Sequence, residues 1–124
     1  MVVFDTNVIV NYFYGNPKAV KLIEKYLDRE KIYITIINRY ELIKGSKFVE
    51  TKILNEFLNA FDVYYLDQKS VDISAQIYRQ LKEKGKLIND SDILIAGMCI
   101  SNNEELITID REFERINNKN INVV

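Results

Sequence analysis

The chain has 124 residues, 48% of them apolar and 28% charged, which is the size and composition of one globular domain with its own core. Seventeen basic and 18 acidic side chains leave a net charge of −1, which argues against a protein that grips nucleic acid by bulk positive charge. Histidine is absent, so Ser-His-Asp and Cys-His nucleophile systems are excluded and catalysis would have to run on carboxylates, most simply through a metal.

The first element is a short apolar strand, Val2 to Phe4, ending on Asp5. Asp5-Thr6-Asn7 is good capping chemistry for a helix over Thr6 to Phe13. Pro17 suits the first turn of a second helix, whose apolar positions Val20, Ile23, Tyr26 and Leu27 run out at Asp28-Arg29-Glu30. A strand is predicted over Ile32 to Ile36. A helix carrying Ile36, Ile37, Tyr40, Leu42 and Ile43 then stops at Gly45, and another holds Ile53, Leu54, Phe57, Leu58 and Phe61.

A third strand is predicted over Val63 to Leu66, and a helix from Val71 to Leu81 puts Ala75, Tyr78 and Leu81 on one stripe before Lys84-Gly85-Lys86 closes it. After Asn89-Asp90-Ser91 comes a helix with almost no polar face, Ile93-Leu94-Ile95-Ala96 and Met98, in which the lone Cys99 reads as a buried small hydrophobe. Strands over Leu106 to Ile109 and Ile121 to Val124 complete the chain. Lysines gather at Lys44, Lys47 and Lys52 and again at Lys82, Lys84 and Lys86, as solvated helix faces or phosphate contacts.

The strands are short and almost continuously apolar, which suits a mainly parallel, about five-stranded sheet covered by helices on both faces. The expected fold is a three-layer α/β/α domain spanning residues 1–124. In such sheets ligands gather beyond the carboxyl ends of the strands, and Asp5 and Asp110 both follow predicted strands. No stretch approaches the roughly 18 apolar residues of a membrane span. With no leader pattern and one cysteine, the expected setting is cytoplasmic.

Taken singly, the acids have ordinary explanations. Asp5 could cap a helix, and Asp90 and Asp92 could favour the positive end of one. Glu41 could face solvent, and Asp110-Arg111-Glu112 could be a solvated turn.

Their order is more telling. Asp5-Thr6-Asn7-Val8-Ile9, then Glu41-Leu42 followed by Gly45, then Asp92 followed by Ile95-Ala96, and finally Leu106-Ile107-Thr108 with Asp110-Arg111-Glu112-Phe113 resemble the PIN domain, and most closely the small ribonuclease toxins of the VapC type. The resemblance covers Val2 to Val124. It implies a metal-dependent endoribonuclease in which Asp5, Glu41, Asp92 and Asp110 converge as catalytic carboxylates and metal ligands. Thr6, Asn7 and Thr108 would give polar support, and Asp90 is an auxiliary acid. Asn38 and Arg39 depart from the pattern, standing where small hydroxyl residues are commoner.

Hard oxygen donors suit Mg²⁺ or Mn²⁺, and crowded carboxylates without the ion should include at least one with a raised pKa. The implied reaction is hydrolysis of an RNA phosphodiester to a 5′-phosphate and a 3′-hydroxyl, with bases stacking on Tyr12, Tyr14 or Tyr40 if those rings are not in the core. The implied partners are RNA, a cognate antitoxin received near Tyr12, Phe13 and Tyr14, and a second copy of the chain in a homodimer.

Two further readings stay open, an RNA-processing nuclease without an antitoxin and a non-catalytic RNA-binding or scaffold domain. A phosphatase or receiver domain would want Asp5 as nucleophile and a lysine after a late strand. Here position 7 is Asn7, and the late strand leads to Asp110 and Arg111.

Overall fold

The sheet is built outward from β1 (Val2–Phe4), whose successive side chains enter two different cores. Val2 and Phe4 join Ile32 and Ile34 of β2 (Ile32–Thr35) and Ile107 of β4 (Glu105–Thr108) on one face, while Val3 and Leu106 face the other. Burial on both sides is why these strands read as apolar runs without alternation.

The computed structural model describes residues 1–29, 31–45 and 51–124; Glu30 and Lys47 lie outside them. Among the described residues the strand order is β3-β2-β1-β4-β5, with β3 at Asp62–Tyr64 and β5 at Ile121–Val123, and every pairing is parallel. The chain steps outward from β1 to β3, returns past β1 to β4, and steps outward again to β5. That reversal opens a crevice between β1 and β4 at the carboxyl edge of the sheet.

One face is covered by α1 (Thr6–Phe13), α2 (Pro17–Leu27), α3 (Ile36–Lys44) and α4 (Thr51–Leu58), through Val8, Ile9, Ile23, Leu42, Leu54 and Leu58. The other is covered by α5 (Gln68–Glu83), α6 (Asp90–Ser101) and a 3-10 turn (Arg111–Arg115), through Ile77, Leu81, Ile93, Ile95, Ala96, Cys99 and Phe113. Cys99 is fully buried and burial pushes its thiol up, so it behaves as a small hydrophobe.

The strand at Ile32 ends one residue earlier than the pattern predicts. Thr35 and Asn38 form a capping box, which makes Ile36 the first helical residue. β3 also starts and stops earlier, leaving Tyr65 and Leu66 exposed.

On α5 the predicted stripe of Ala75, Tyr78 and Leu81 is buried only at Leu81. Ser70, Ser74, Ile77 and Leu81 are buried, whereas Val71, Ala75 and Tyr78 are exposed. The reason lies on the neighbouring helix. A Cβ on Gly97 would come within 1.9 Å of Ser74 Oγ, so the helices approach closely enough that only small side chains fit between them. The Ser74 hydroxyl satisfies itself by donating to the Ser70 carbonyl at 2.7 Å.

Of the three tyrosines considered for base stacking, Tyr12 is half-buried and stacks on Phe57 at 5.7 Å between ring centroids. Tyr14 and Tyr40 are exposed, with the Lys44 ammonium over the Tyr40 ring. Lys52, Lys82, Lys84 and Lys86 are exposed. Among the described residues no helix is long and apolar enough to cross a membrane.

Candidate active site

Asp5 is positioned by the sheet. Phe4 pairs with Ile107, and the Asp5 backbone N–H continues the ladder by donating to the Ile107 carbonyl at 2.9 Å, which brings Asp5 beside Thr108. Asp5 stands at the N-cap position of α1, yet its side chain caps nothing there. It turns into the crevice, 4% exposed, where Oδ2 accepts from Thr108 Oγ1 at 2.7 Å and Oδ1 accepts from Asn38 Nδ2 at 3.3 Å.

The other groups are held by the elements around it. Thr6, on the first turn of α1, donates its hydroxyl proton to Glu41 Oε1 at 2.7 Å, tying α1 to α3. Asn7 reaches β4, where its Nδ2 donates to Thr108 Oγ1 at 3.5 Å and its Oδ1 accepts from the Ile109 N–H at 3.4 Å. The Asp110 N–H donates to Thr108 Oγ1 at 3.0 Å, and Asp110 Oδ1 accepts from the Glu112 N–H at 2.9 Å, starting the 3-10 turn. Asp92 enters from the first turn of α6 and is half-buried.

Asp5, Glu41, Asp92 and Asp110 thus line one cleft of about 390 Å³, together with Thr6 and Asn7. Thr108 stands behind it as the hydrogen-bonded link between Asp5 and Asp110. Asp90 is exposed and lies instead in a separate groove against α5, with Val71, Tyr78 and Leu94.

Crowding and burial raise two of the carboxyls. Burial is the largest influence on Asp5, pushing it from 3.8 to about 6 with help from the charges of Glu41 and Asp110 and against the Thr108 hydrogen bond. Asp92 is pushed up to about 7, again first by burial and then by Asp5, Glu41, Asp110 and Glu112. Without a cation, Asp92 therefore stays partly protonated near neutral pH, where an ordinary carboxylate would be ionised.

Asp92, Asp110 and Glu112 each present a carboxylate oxygen within 4.8 Å of the others. A donor set of carboxylate oxygens, with no imidazole in the chain and its one thiol buried in the core, fits a hard divalent cation.

The PIN domain family matches this chain over residues 2–119. The chain belongs to the PIN domain family. Among its relatives, Ribonuclease VapC1 of Methanocaldococcus jannaschii is 37% identical over 117 residues, covering 93% of this chain and 80% of the relative. Ribonuclease VapC19 of Mycobacterium tuberculosis is 27% identical over 109 residues, 87% of either chain. A solved structure of VapBC2 from Rickettsia felis, bound to a DNA fragment from its promoter, superposes with a TM-score of 0.83 at 25% identity, covering 100% of this chain and 98% of that one.

Two residues of this PIN domain's cleft go beyond the ligand set expected from sequence. Glu112 reads locally as a solvated turn; its signal is its place two residues beyond Asp110 in a turn that Asp110 itself caps. Asn38 reads as a departure from the pattern, and it is fully buried behind Asp5, Thr6 and Glu41.

Proposed function

We propose that this PIN domain is a divalent-metal-dependent endoribonuclease that hydrolyses RNA phosphodiesters to 5′-phosphate and 3′-hydroxyl ends, and that it is the toxin of a toxin–antitoxin pair. The observation that carries the reading is the meeting of four acids from four separate stretches of sequence in one cleft, in a chain 37% identical to a ribonuclease VapC1.

Asp92, Asp110 and Glu112 would hold Mg²⁺ or Mn²⁺, with Asp5 and Glu41 completing the carboxylate wall. Bound there, such an ion supplies charge neutralisation for the phosphate and a water acidic enough to act as nucleophile. The residues of the chain do the positioning. Thr108 and Asn38 fix the two oxygens of Asp5, Thr6 fixes Glu41, and the Glu112 N–H fixes Asp110. Cation binding would also relieve the mutual repulsion that raises Asp5 and Asp92.

Water attacks phosphorus, the bond to the 3′ oxygen breaks, and that oxygen leaves with a proton. Because the ribose 2′-hydroxyl takes no part, preference for RNA would come from binding. The VapBC complex from Rickettsia felis, at similar fold and length, supports an antitoxin as partner. The family resemblance supports a homodimer in the cytoplasm.

The test is cleavage of structured RNA by the purified protein in Mg²⁺ or Mn²⁺, with the new ends sequenced. We expect 5′-phosphate ends, no cleavage in EDTA and none by Asp5→Asn. Cutting that persists in EDTA overturns the metal dependence, and no cutting with either metal overturns the nuclease reading. Co-expression of a cognate antitoxin should suppress cleavage in cells.

A further inference from the structure

Behind the carboxylates lies a buried amide whose hydrogen bonds are all assigned by its neighbours. Asn38 Oδ1 accepts from the Thr35 backbone N–H at 3.1 Å and from Thr35 Oγ1 at 2.7 Å, while the Asn38 N–H donates back to Thr35 Oγ1 at 3.1 Å. A backbone N–H can only donate, so the atom facing it must be the amide oxygen. The orientation of the side chain follows, and its NH₂ is left facing the acids.

Both NH₂ protons are used there. One goes to Asp5 Oδ1 at 3.3 Å and the other to Thr6 Oγ1 at 3.0 Å. A hydroxyl has a single proton, and that of Thr6, already receiving from Asn38, goes on to Glu41 Oε1 at 2.7 Å. The chain of donation therefore runs one way, from Asn38 to Asp5 and from Asn38 through Thr6 to Glu41. A serine or threonine at position 38 has one hydroxyl proton and could serve only one of the two branches.

We infer that Asn38 is the positioning residue of this cleft: clamped by Thr35 at the start of α3, it orients the Asp5 carboxylate directly and the Glu41 carboxylate through Thr6. Its catalytic consequence rests on the nuclease reading above. Its effect on cation binding does not. Asn38→Asp is the sharpest variant, because it keeps the shape and the oxygen that Thr35 needs while replacing the donating NH₂ by a carboxylate oxygen that donates to neither Asp5 nor Thr6 and competes with Glu41 for the Thr6 proton. Thr6→Val keeps shape as well and cuts only the branch to Glu41.

The experiment measures Mn²⁺ affinity of the full chain by calorimetry, kcat and KM for RNA, and thermal melting, for wild type, Asn38→Asp, Thr6→Val and the double variant. We expect each single variant to weaken Mn²⁺ binding and lower kcat by about tenfold, with KM for RNA unchanged, as removal of partners behind metal ligands does. The double variant should lose less than the product of the two, because both act on one chain of bonds. A folded Asn38→Asp with wild-type Mn²⁺ affinity and kcat overturns the inference. If Asn38→Asp does not fold, Thr6→Val decides by the same criterion. A wild type that binds Mn²⁺ but cuts no RNA overturns the nuclease reading alone, since the Mn²⁺ affinities of the variants still decide the role of Asn38.

Discussion

Thr108 and Asp5, 103 positions apart in sequence, meet at 2.7 Å with the threonine hydroxyl donating to the carboxylate. The same oxygen accepts from the Asp110 N–H. One buried hydroxyl at the end of β4 therefore fixes acids on both sides of the β1–β4 crevice. The strand register that pairs Phe4 with Ile107 leaves Asp5 and Thr108 adjacent where the ladder ends.

Thr108→Val keeps the β-branched shape but removes the proton given to Asp5 and the acceptor used by Asp110. A hydrogen bond to a charged group contributes about 1.5–3 kcal/mol. We expect a loss of stability of about 2 kcal/mol in urea unfolding and RNA cleavage slowed by about tenfold. Wild-type cleavage in this variant would show that the link between Asp5 and Asp110 is dispensable.

Asp92→Asn should move stability and activity in opposite directions. Above about pH 7 the Asp92 carboxylate is ionised against Asp5, Glu41, Asp110 and Glu112, and a neutral amide removes that repulsion. The metal-free variant should gain about 1 kcal/mol at such pH, the half-exposed carboxylate being partly screened by water. It should also lose at least about a hundredfold of metal-dependent cleavage. Melting without metal and initial cleavage rates with it read the two effects; a metal-free variant less stable than wild type would count against carboxylate crowding.

Much of this architecture can be read from the chain, and the failures share a cause. β1 is legible because Val2-Val3-Phe4 is apolar on both faces, and the acid after it marks the functional edge. The α5 stripe is misjudged because its buried positions, Ser70 and Ser74, are polar. They are buried by the close approach at Gly97, a contact with a residue more than 20 positions away that α5's own periodicity does not encode. The cleft follows the same rule. Asp5, Glu41, Asp92 and Asp110 stand out as a pattern, whereas Glu112 and Asn38 take their places from a 3-10 turn and a capping box, which set directions that spacing alone does not give.

The pH dependence of the metal-free protein follows from the two raised carboxyls. Asp5 rises from 3.8 to about 6 and Asp92 to about 7, so between these limits the folded chain keeps protons that the unfolded chain releases. Their contribution is fully present below about pH 4 and is lost as the pH climbs through 6 and 7. Asp67 works in the opposite sense, since the Ser70 hydroxyl and N–H hold it below its ordinary value, but its contribution is lost only on acidification below about pH 4. Stability without metal should therefore fall between about pH 4 and pH 8, by about 2–3 kcal/mol for Asp5 alone. Saturating Mg²⁺ should flatten that fall, because the cation binds the ionised carboxylates. Denaturant titrations across this range, with and without Mg²⁺, provide the measurement; metal-free stability that rises with pH would contradict the assigned burial of Asp5.

Gly97→Ala tests the packing that carries Asp92 to the cleft. In an isolated helix the change would favour folding by about 1 kcal/mol, because alanine restricts the unfolded chain and glycine does not. Here the new methyl would stand 1.9 Å from Ser74 Oγ, 3.0 Å from the Ser70 carbonyl and 3.1 Å from Ser74 Cβ. The serine hydroxyl could rotate only by giving up its bond to the Ser70 carbonyl, and that carbonyl moves only with α5. Overpacking should prevail, with a net loss of about 2 kcal/mol. In a Ser74→Ala background the hydroxyl is gone while the Cβ and carbonyl contacts stay, so the same glycine change should cost less there, a coupling that a double-mutant cycle in urea measures. Since α6 begins at Asp90 and presents Asp92 two residues later, any separation of α5 and α6 shifts that carboxylate as well. Cleavage should then fall in Gly97→Ala even though no acid is altered, and a variant more stable than wild type would refute the close approach of the two helices.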